Sequence, residues 1–579
     1  MSSSSENEYF SDGITEEIIN ALAQVKHLKV TSRTSSFFFK GKNIPIAQIG
    51  QKLGVSTILE GSVRRAGDTI RITAQLIQAK DDYHFWSETW DRKLENIFEI
   101  QDEISLLIAD RLREHFGHVE IGDHLVNQST THLGAYDYCL KARYHQNQWN
   151  AEDARQAISF YEKALKLDSN YADAYLGLAD SYSFLGTVAA LPFNEAWEKS
   201  ASYTRKAQSL NGQSAGVHFQ LSNEAFLVEC DYARSLREMK QAIDINPNYA
   251  DAQQFMFFLY TLAGERKLAK KHLDIALGIN PLSEETLFFK AYFYYMNSDF
   301  EEALSILNER LAVNGRSIPA HSVKVTCLLN MGQYNAVLNY YDNVPKDAAS
   351  QGDKIGSMAL AYLLKGEKKR AAGLLEELKE EVKGPNGQAA DAFLFMAYVL
   401  SGDIDAAFKW VDEAIERRSS LVLLRYTDPL VSSLKADSRY AMYYAKLFGE
   451  PTKVSAKKKK APLADEVMME YQDMLLAHIE AHKPYLNPSL SLRALARQIE
   501  LHPNQLSWLL NTALGKNFNE FINHYRVEAF KQAGPDPENA HLSVEGLAYE
   551  CGFNSKTVFN TYFKKETGMT PTQFLKQYR

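Results

Sequence analysis

Short helices with one apolar face are predicted near the C-terminal end of the chain. One follows Ser543, a favourable N-cap, and stops at Gly552, which can adopt the left-handed backbone that a sharp turn requires. The apolar positions of the next helix are Val558, Phe559, Tyr562 and Phe563. A helix, a tight turn and a second helix with a polar outer face indicate a helix-turn-helix, whose second helix is shaped for the major groove of DNA.

The same pattern occurs about fifty residues earlier and predicts a first unit of the same kind. The apolar positions of its first helix are Leu492, Leu495, Ala496 and Ile499. Pro503 suits the first turn of its second helix. The inward-facing positions of that second helix are Leu506, Leu509, Leu510 and Ala513. A linker helix from Phe518 to Phe530 is predicted to join the two units.

The outer faces of the two second helices carry the candidate DNA-contacting residues. In the first unit they are Asn504, Gln505, Ser507, Trp508 and Asn511. In the second unit they are Ser555, Lys556, Thr557, Asn560, Thr561 and Lys564. Asn and Gln can hydrogen-bond adenine, Ser and Thr can contact several bases, and Lys can contact phosphate. For any single residue, a phosphate contact or plain exposure to solvent is an equal alternative.

This pair of units resembles the DNA-binding domain of the AraC/XylS family of bacterial transcription regulators. The residues that carry the resemblance are Gly515, Phe518, Tyr525, Arg526, Ala548, Gly552, Phe553, Phe559, Phe563, Gly568, Thr570, Pro571 and Phe574. The segment Gln532–Pro535 departs from the family, in which leucines often continue the linker helix. The resemblance implies sequence-specific binding of promoter DNA, with two recognition helices in major-groove segments about one turn apart.

The middle of the chain, from residue 133 to 448, is predicted to be helical and repetitive. Positions that favour small residues, because the two helices of a pair cross closely there, recur every 34 residues, the tetratricopeptide period, at Ser235, Ala269, Ala303, Val337 and Ala371. This spacing predicts about eight helix pairs in a curved solenoid, whose concave side commonly holds a peptide or a protein. Aromatic residues such as Phe257 and Tyr292 are assigned to the packing between repeats, with a ligand groove as the alternative. The segment Thr427–Tyr440 is expected to cap the solenoid.

The first 118 residues are predicted to form an α/β domain. Helices are expected at Ile14–Ala23, Ile44–Leu53 and Ile97–Phe116, and strands at Leu28–Thr31, Ser56–Val63, Thr69–Leu76 and Phe85–Trp90. The segments YFSDGITEEI, SRTSSFFFKGKN, GVSTILEGSVRR and FWSETWDRKL resemble the TolB-like amino-terminal domain. In bacteria that domain is often joined to tetratricopeptide repeats and to a cyclase or a DNA-binding domain.

One segment of this domain ends like a phosphate-binding loop. Lys40–Asn43 has the sequence KGKN, but Ser36 stands where the first glycine of such a loop should be. Asn43 also replaces the Ser or Thr that would meet magnesium. We therefore predict a domain that binds a ligand or a partner, and not an enzyme.

Composition adds limits to this interpretation. The net charge of the chain is −8, and from Arg493 onward 10 Lys and Arg oppose 8 Asp and Glu, so non-specific affinity for DNA should be modest. The four cysteines form no CxxC pair, and neither a signal peptide nor a long apolar run is present, which favours a reduced, cytoplasmic protein without a metal site or cofactor. Residues 449–463 contain five lysines and are interpreted as a flexible linker, with added phosphate contacts as the alternative.

The sequence thus predicts a multidomain bacterial transcription regulator. Its parts are an α/β N-terminal domain (1–118), an all-α tetratricopeptide solenoid (133–448) and an all-α double helix-turn-helix domain (464–579). Its expected partners are double-stranded promoter DNA and a protein or peptide on the solenoid, with no membrane. Whether it forms a homodimer stays open, as do its promoter, its signal and the sign of regulation. The alternative function is a repeat scaffold in which DNA binding is secondary.

The beginning of the chain generates a first prediction. The TolB-like pattern places an apolar strand before the segment matching Asn7–Gly13, where this chain has only MSSSS. We expect that the start is misplaced or the chain shortened, and that the natural protein carries about a dozen more residues. Without them a neighbouring strand, such as Leu28–Thr31, would expose an unpaired edge. The test is to read the coding sequence upstream in frame and to compare the thermal stability of both versions. An immediate upstream stop codon, or equal stability, would contradict the prediction.

Overall fold

The computed structural model describes residues 8–26, 28–93, 95, 97–126, 129–148, 150–188, 190–345, 348–383, 387–449 and 465–578. The predicted linker at 449–463 lies outside the described residues apart from Gly449. The first seven residues, on which the prediction of a missing strand depends, also lie outside them.

A small antiparallel sheet with helices against it forms the N-terminal part. Its elements are α1 (Glu8–Ala23), α2 (Arg33–Phe37), α3 (Ile46–Leu53), β1 (Thr57–Ala66), β2 (Thr69–Gln78), β3 (Tyr83–Lys93) and α4 (Ile97–Phe116). The strand order is β1-β2-β3, and Thr69 of β2 pairs with Ala66 on one side and Lys93 on the other. Alternate residues of β2 are buried in one core with α1 and α4, as the period of two predicts: Ile70, Ile72, Ala74 and Leu76.

The helices and the hairpin predicted for this part are confirmed, but the strand predicted at Leu28–Thr31 is wrong. These residues pair with no described strand, and Leu28 and the following Ser32 hydrogen-bond to the repeat region instead. The amide Nδ2 of Asn248 donates to the carbonyl oxygen of Leu28 at 2.7 Å, and the backbone N–H of Ser32 donates to that of Ile279 at 2.8 Å. The apolar pattern of the segment is correct, but its partners lie more than 200 residues away, so local periodicity could not identify them.

Eight antiparallel helix pairs follow in the described residues. The helices are α5 (Leu133–Gln146), α6 (Ala151–Leu167), α7 (Ala172–Thr187), α8 (Phe193–Leu210), α9 (Ala215–Leu227), α10 (Tyr232–Ile245), α11 (Ala250–Leu262), α12 (Arg266–Ile279), α13 (Glu284–Met296), α14 (Phe300–Val313), α15 (Ile318–Asn330), α16 (Tyr334–Leu338), α17 (Gln351–Leu364), α18 (Lys368–Glu381), α19 (Gln388–Ser401) and α20 (Ile404–Glu416). The residues at the 34-residue spacing are fully buried, each in the second helix of its pair: Ser235, Ala269, Ala303, Val337 and Ala371. Most of the clustered aromatic residues lie in the core, among them Phe257 and Tyr292, as predicted.

The segment after the last pair does more than cap the repeats. It contains α21 (Leu421–Arg425), a 3-10 helix (Pro429–Ala436) and α22 (Tyr440–Phe448), and it packs on α19. It also reaches back to the middle of the repeat region. The Thr427 hydroxyl donates to the carbonyl oxygen of Leu262 at 2.7 Å, and that of Tyr444 donates to the carbonyl oxygen of Ala263 at 2.6 Å. The segment therefore connects the last repeat to much earlier ones.

The C-terminal part is entirely helical in the described residues. Its helices are α23 (Asp465–His482), α24 (Leu492–Gln498), α25 (Pro503–Ala513), α26 (Phe518–Ala533), α27 (Val544–Glu550), α28 (Lys556–Thr567) and α29 (Pro571–Tyr578). The first unit consists of α24 and α25, and the second unit consists of α27 and α28.

The attachment of the N-terminal part to the repeats generates a second prediction. Asn280 is buried, and its Oδ1 accepts hydrogen bonds from the hydroxyls of Ser32 and Ser35, both at 2.7 Å. Replacing Asn280 by Ala leaves the buried hydroxyl of Ser35 and the half-buried hydroxyl of Ser32 without this acceptor, so amides in residues 28–36 should exchange hydrogen roughly ten times faster, equivalent to about 1–2 kcal/mol. Asn314 has the equivalent position one repeat later and is exposed, so Asn314→Ala is the matched control. Equal exchange in both variants would contradict the prediction.

Candidate DNA interface

The second unit is held in its predicted shape by caps and one glycine. The Ser543 side chain accepts a hydrogen bond from the backbone N–H of Gly546 at 3.0 Å and thereby caps α27. Gly552 then turns the chain with a φ of +90°. A Cβ atom on this residue would lie 2.2 Å from the carbonyl oxygen of Tyr485, in the segment before the first unit. The glycine therefore satisfies both a left-handed turn and a close backbone approach.

The first unit uses different residues for the same turn. Ser491 caps α24, and Glu500, which is not a glycine, adopts a φ of +55° in the turn. His502 and Gln505 form a reciprocal cap at the start of α25, in which the Gln505 side chain accepts a hydrogen bond from the backbone N–H of His502 at 3.1 Å. Gln505, predicted as a DNA contact, is thus already engaged in shaping the helix end.

Helix α26 joins two separate hydrophobic cores. Phe518, Phe521 and Ile522 belong to the core of the first unit, whereas Val527 and Phe530 belong to that of the second. Both cores are formed wholly by residues after the predicted linker.

Arg526 fixes α26 to the segment that precedes the first unit. Its Nε donates to the carbonyl oxygen of Tyr485 at 2.8 Å, and its Nη2 donates to that of Asn487 at 2.9 Å. Burial lowers the pKa of this guanidinium to about 10, so it stays charged at neutral pH. A buried charge with several acceptors gives the two units a defined relative position.

The predicted outer face of α28 is exposed to solvent. The residues on it are Lys556, Thr557, Asn560, Thr561 and Lys564. Lys556 forms an ion pair with Glu545 of α27 at 3.0 Å. Ser555 is half-buried beside Tyr83 of β3, and its side chain accepts a hydrogen bond from the backbone N–H of Val558 at 3.4 Å. Apart from Ser555, the polar groups of this helix are in position to meet a ligand as large as DNA.

The corresponding face of α25 is covered. Asn504, Gln505, Trp508 and Asn511 are half-buried, and Ser507 is only 1% exposed. Ser507 lies on the same side of the helix as Asn504 and Asn511, and both of these contact the N-terminal part. The full exposure expected for this face is therefore wrong for the chain as described. The reason is a contact between residues nearly 400 positions apart, which the local pattern does not contain.

The covering residues are 110–123, at the end of α4 and just after it, and we name them the docking segment. The side-chain oxygen of Asn504 accepts hydrogen bonds from Arg113 Nη1 at 2.7 Å and from the backbone N–H of Ile121 at 3.2 Å. The side-chain Nδ2 of Asn504 donates to the carbonyl oxygen of Ile121 at 3.0 Å. Further along, the Nδ2 of Asn517 donates to the carbonyl oxygen of His115 at 3.1 Å.

Charged side chains surround this contact. Arg113 is 1% exposed and donates to Asp110 at 2.5 Å, while Asp110 also pairs with Arg493 of α24. Glu114 is 2% exposed and accepts a hydrogen bond from the backbone N–H of Leu492 at 2.7 Å. Burial lowers the pKa of Arg113 and raises the pKa of Glu114.

Sequence reasoning did not identify these charged residues as part of the site. In the sequence, Ala109–Phe116 reads ADRLREHF, with alternating charge signs that are typical of a solvated helix end. No local signal distinguishes such a helix end from one whose charges find partners in another domain.

Comparison with known proteins supports the helix-turn-helix assignment. Residues 495–577 match a family model described as a helix-turn-helix domain. The chain is 30% identical over 106 residues to the Escherichia coli (strain K12) protein named "Uncharacterized HTH-type transcriptional regulator YijO", which covers 18% of this chain and 36% of that protein. The C-terminal part of the chain therefore contains a helix-turn-helix domain similar to those of transcription regulators.

Two further similarities cover larger shares of the chain. It is 37% identical over 199 residues, 34% of this chain and 32% of the relative, to the Rhizobium meliloti (strain 1021) protein named "Putative adenylate cyclase 3". The crystal structure of a tetratricopeptide repeat protein from Parabacteroides merdae aligns with 45% of this chain and 98% of its own, at 15% identity and a TM-score of 0.32. The repeat architecture described above rests on the helix pairs and not on this weak alignment. The chain spans about a third of the length of these two curated relatives.

Neither a membrane span nor a metal cluster occurs in the described residues. None of the helices there is both long and apolar enough to cross a membrane. No group of three or more His, Cys, Asp or Glu side chains in that part of the chain could hold a metal ion.

The two glycines of the second unit give a third prediction. Gly552 and Gly568 both have positive φ, but a Cβ on Gly568 would have no atom within 4 Å, whereas one on Gly552 would meet the Tyr485 carbonyl. In the fragment 464–579, Gly568→Ala should lower the free energy of unfolding by about 1–2 kcal/mol through the backbone alone. Gly552→Ala should lower it clearly more, because the clash adds to that cost. Urea unfolding followed by circular dichroism measures both, and equal losses would contradict the packing of this turn.

Proposed function

We propose that this protein is a cytoplasmic DNA-binding transcription regulator of the AraC/XylS type. The observation that carries the proposal is the exposed polar face of α28 on a domain that matches the helix-turn-helix family. In this proposal α28 enters a major groove and α25 enters a neighbouring one on the same side of the DNA.

Side chains on the two helices have different roles in this proposal. Asn560 and Thr561 on α28, with Asn504 and Asn511 on α25, would contact base edges, because amide and hydroxyl groups match the donors and acceptors exposed there. Lys564 would contact phosphate and contribute affinity without selecting a sequence. The proposed contact set is completed by Ser555, Lys556 and Thr557 of the second unit and by Gln505, Ser507 and Trp508 on α25.

The N-terminal part and the repeats are proposed to sense a signal or bind a partner, with no cofactor and no catalytic activity. The N-terminal part is proposed to be TolB-like. The 199 residues shared with the Rhizobium relative exceed the 131 residues from 449 to 579, so part of that match precedes the DNA-binding domain. The Rhizobium relative is named as a cyclase, whereas this chain has a helix-turn-helix domain. A region that both share supports a sensory or partner-binding module that can be joined to different output domains. A protein or peptide partner would bind the repeats.

The fragment 464–579 provides the direct test of this function and the fourth prediction. It should fold alone, because both of its cores are internal, and it should select a preferred sequence from a pool of random duplexes. Asn560→Ala should lower the preference for that sequence by about 1–3 kcal/mol, the contribution of a good bidentate base contact. Lys564→Ala should instead weaken binding to all sequences alike and reduce the slope of log affinity against log salt by about one.

Affinities at two salt concentrations, with circular dichroism as the folding control, measure these effects. A fragment that folds but selects no sequence would contradict the proposed function. If Asn560→Ala only reduces stability, the side chain is structural and the proposed reading face is wrong.

A further inference from the structure

The contact between the docking segment and the first unit uses the atoms that would read DNA. A side-chain amide recognises adenine by donating one hydrogen bond to the ring N7 and accepting one from the exocyclic amino group. Asn504 makes the same pair of bonds with Ile121: it donates to the carbonyl oxygen at 3.0 Å and accepts from the backbone N–H at 3.2 Å. The peptide groups of Ile121 thus present Asn504 with the donor and acceptor pattern of an adenine edge.

The same segment also approaches a second residue of the reading face. A Cβ atom on Gly117 would lie 2.7 Å from the side-chain oxygen of Asn511, which is about two helical turns after Asn504 on the same face of α25. Ser507, between these two contacts, is 1% exposed. An α25 covered in this way has no room for a base pair, whereas the face of α28 stays open.

The contact has the composition of a reversible interface. The core of the N-terminal part and that of the first unit are separate clusters, so separation of the two would not open either core. Hydrogen bonds and ion pairs connect the two, and buried ion pairs contribute little net stability, because water solvates the separated charges well. Polar interfaces without a shared apolar core are typical of domains that separate during function.

Two buried polar atoms also favour separation. The Ser507 hydroxyl and Arg113 Nε have no hydrogen-bond partner in the described part of the chain. Water would satisfy both after separation, so the docked state includes a desolvation cost that the open state lacks. The covalent connection does not oppose the movement: Gly449 and Asp465 are joined through 15 residues, whose fully extended length is about 50 Å.

We propose that the docking segment is an intramolecular competitor of DNA, which keeps the first unit from reading its half-site until the N-terminal part moves away. This inference rests on the proposed function. In the docked chain only the second unit contacts DNA. Release of the docking segment adds the second contact surface, so the signal controls how many half-sites are bound.

The experiment uses the full chain and changes residues on the docking segment, outside the DNA-contacting surface. The Arg113→Ala/Glu114→Ala double variant removes the donor to Asn504 and the acceptor of the Leu492 N–H. Glu103→Ala is the matched control, because Glu103 lies on the same helix, is exposed and pairs only with Arg92 among the described residues. The probes are a duplex selected from a random pool by the double variant, and two versions of it with either half scrambled.

The measured quantity is the ratio of affinities for the complete duplex and for the duplex that keeps only the second unit's half. This ratio should be about tenfold or more higher in the double variant than in the wild type, because hydrogen bonds to charged groups oppose release. The Glu103→Ala control should match the wild type. Equal ratios in the wild type and a folded double variant would overturn the inference.

A disulfide cross-link that holds the docking segment on α25 tests the same contact by preventing its release. This test does not depend on how the double variant folds. In a Cys230→Ser background, Gly117→Cys and Asn511→Cys place two thiols together, since a Cβ on Gly117 lies 3.5 Å from the side-chain carbon Cγ of Asn511. The other three native cysteines are buried. The oxidised chain should bind the complete duplex no better than the half duplex, and reduction of the same protein should raise its preference for the complete duplex. Because Asn511→Cys itself removes one proposed base contact, the oxidised and reduced forms are compared with each other and not with the wild type. Cross-linked and reduced forms with the same ratio would overturn the inference.

The outcomes separate this inference from the proposed function. If every form prefers the complete duplex equally, the second contact surface is never masked, and only the inference fails. If no form binds any of the three duplexes with sequence preference, the proposed function fails and the inference fails with it.

Discussion

Helix α4 is packed by two different parts of the chain, and its last turns are stable in only two environments. Ile100, Ile104 and Ile108 belong to the core of the N-terminal part. Arg113 and Glu114, one turn further, are buried beneath the first unit by hydrogen bonds to Asn504 and Leu492. A charge without its partners is costly in a partly dry site. The end of α4 is therefore favourable either when it is fully docked or when it is fully hydrated. Partly separated arrangements are less favourable than both.

The N-terminal part, which includes α4, is in turn attached to the repeats. Arg143 of α5 forms an ion pair with Glu17 of α1, and the Tyr9 hydroxyl donates to Asp137 at 2.7 Å. The turn before α13 holds the segment ahead of α2 through Asn280. A partner that changes the relative position of the first and middle repeats would thus displace the N-terminal part. The polar docking contact would separate before the apolar cores open, because its separation exposes little apolar surface.

Local pattern was enough to predict most of the helices and strands, whereas polar contacts between distant residues could not be predicted from it. The 34-residue spacing located the buried position of five successive repeats, and Ser543 with Gly552 located the second unit, because caps, turns and periodicity are properties of neighbouring residues. The strand predicted at Leu28–Thr31 failed because its partners are Asn248 and the turn at Ile279. The burial of Ser507 was not predicted, because the charged end of α4 has the same sequence pattern whether it is solvated or docked on another domain.

Docking also changes the electrostatics of the DNA-binding part. From Arg493 onward the excess of positive charge is only two, and the docked chain already pairs Arg493 with Asp110, Lys556 with Glu545 and Lys565 with Glu520. Non-specific affinity depends on the number of cations that can replace counterions at phosphates. Release of the docking segment would free Arg493 and the amide of Asn504 in one step. General attraction to DNA and base reading by α25 would therefore rise together, so the released chain would search DNA more effectively and also recognise a longer site.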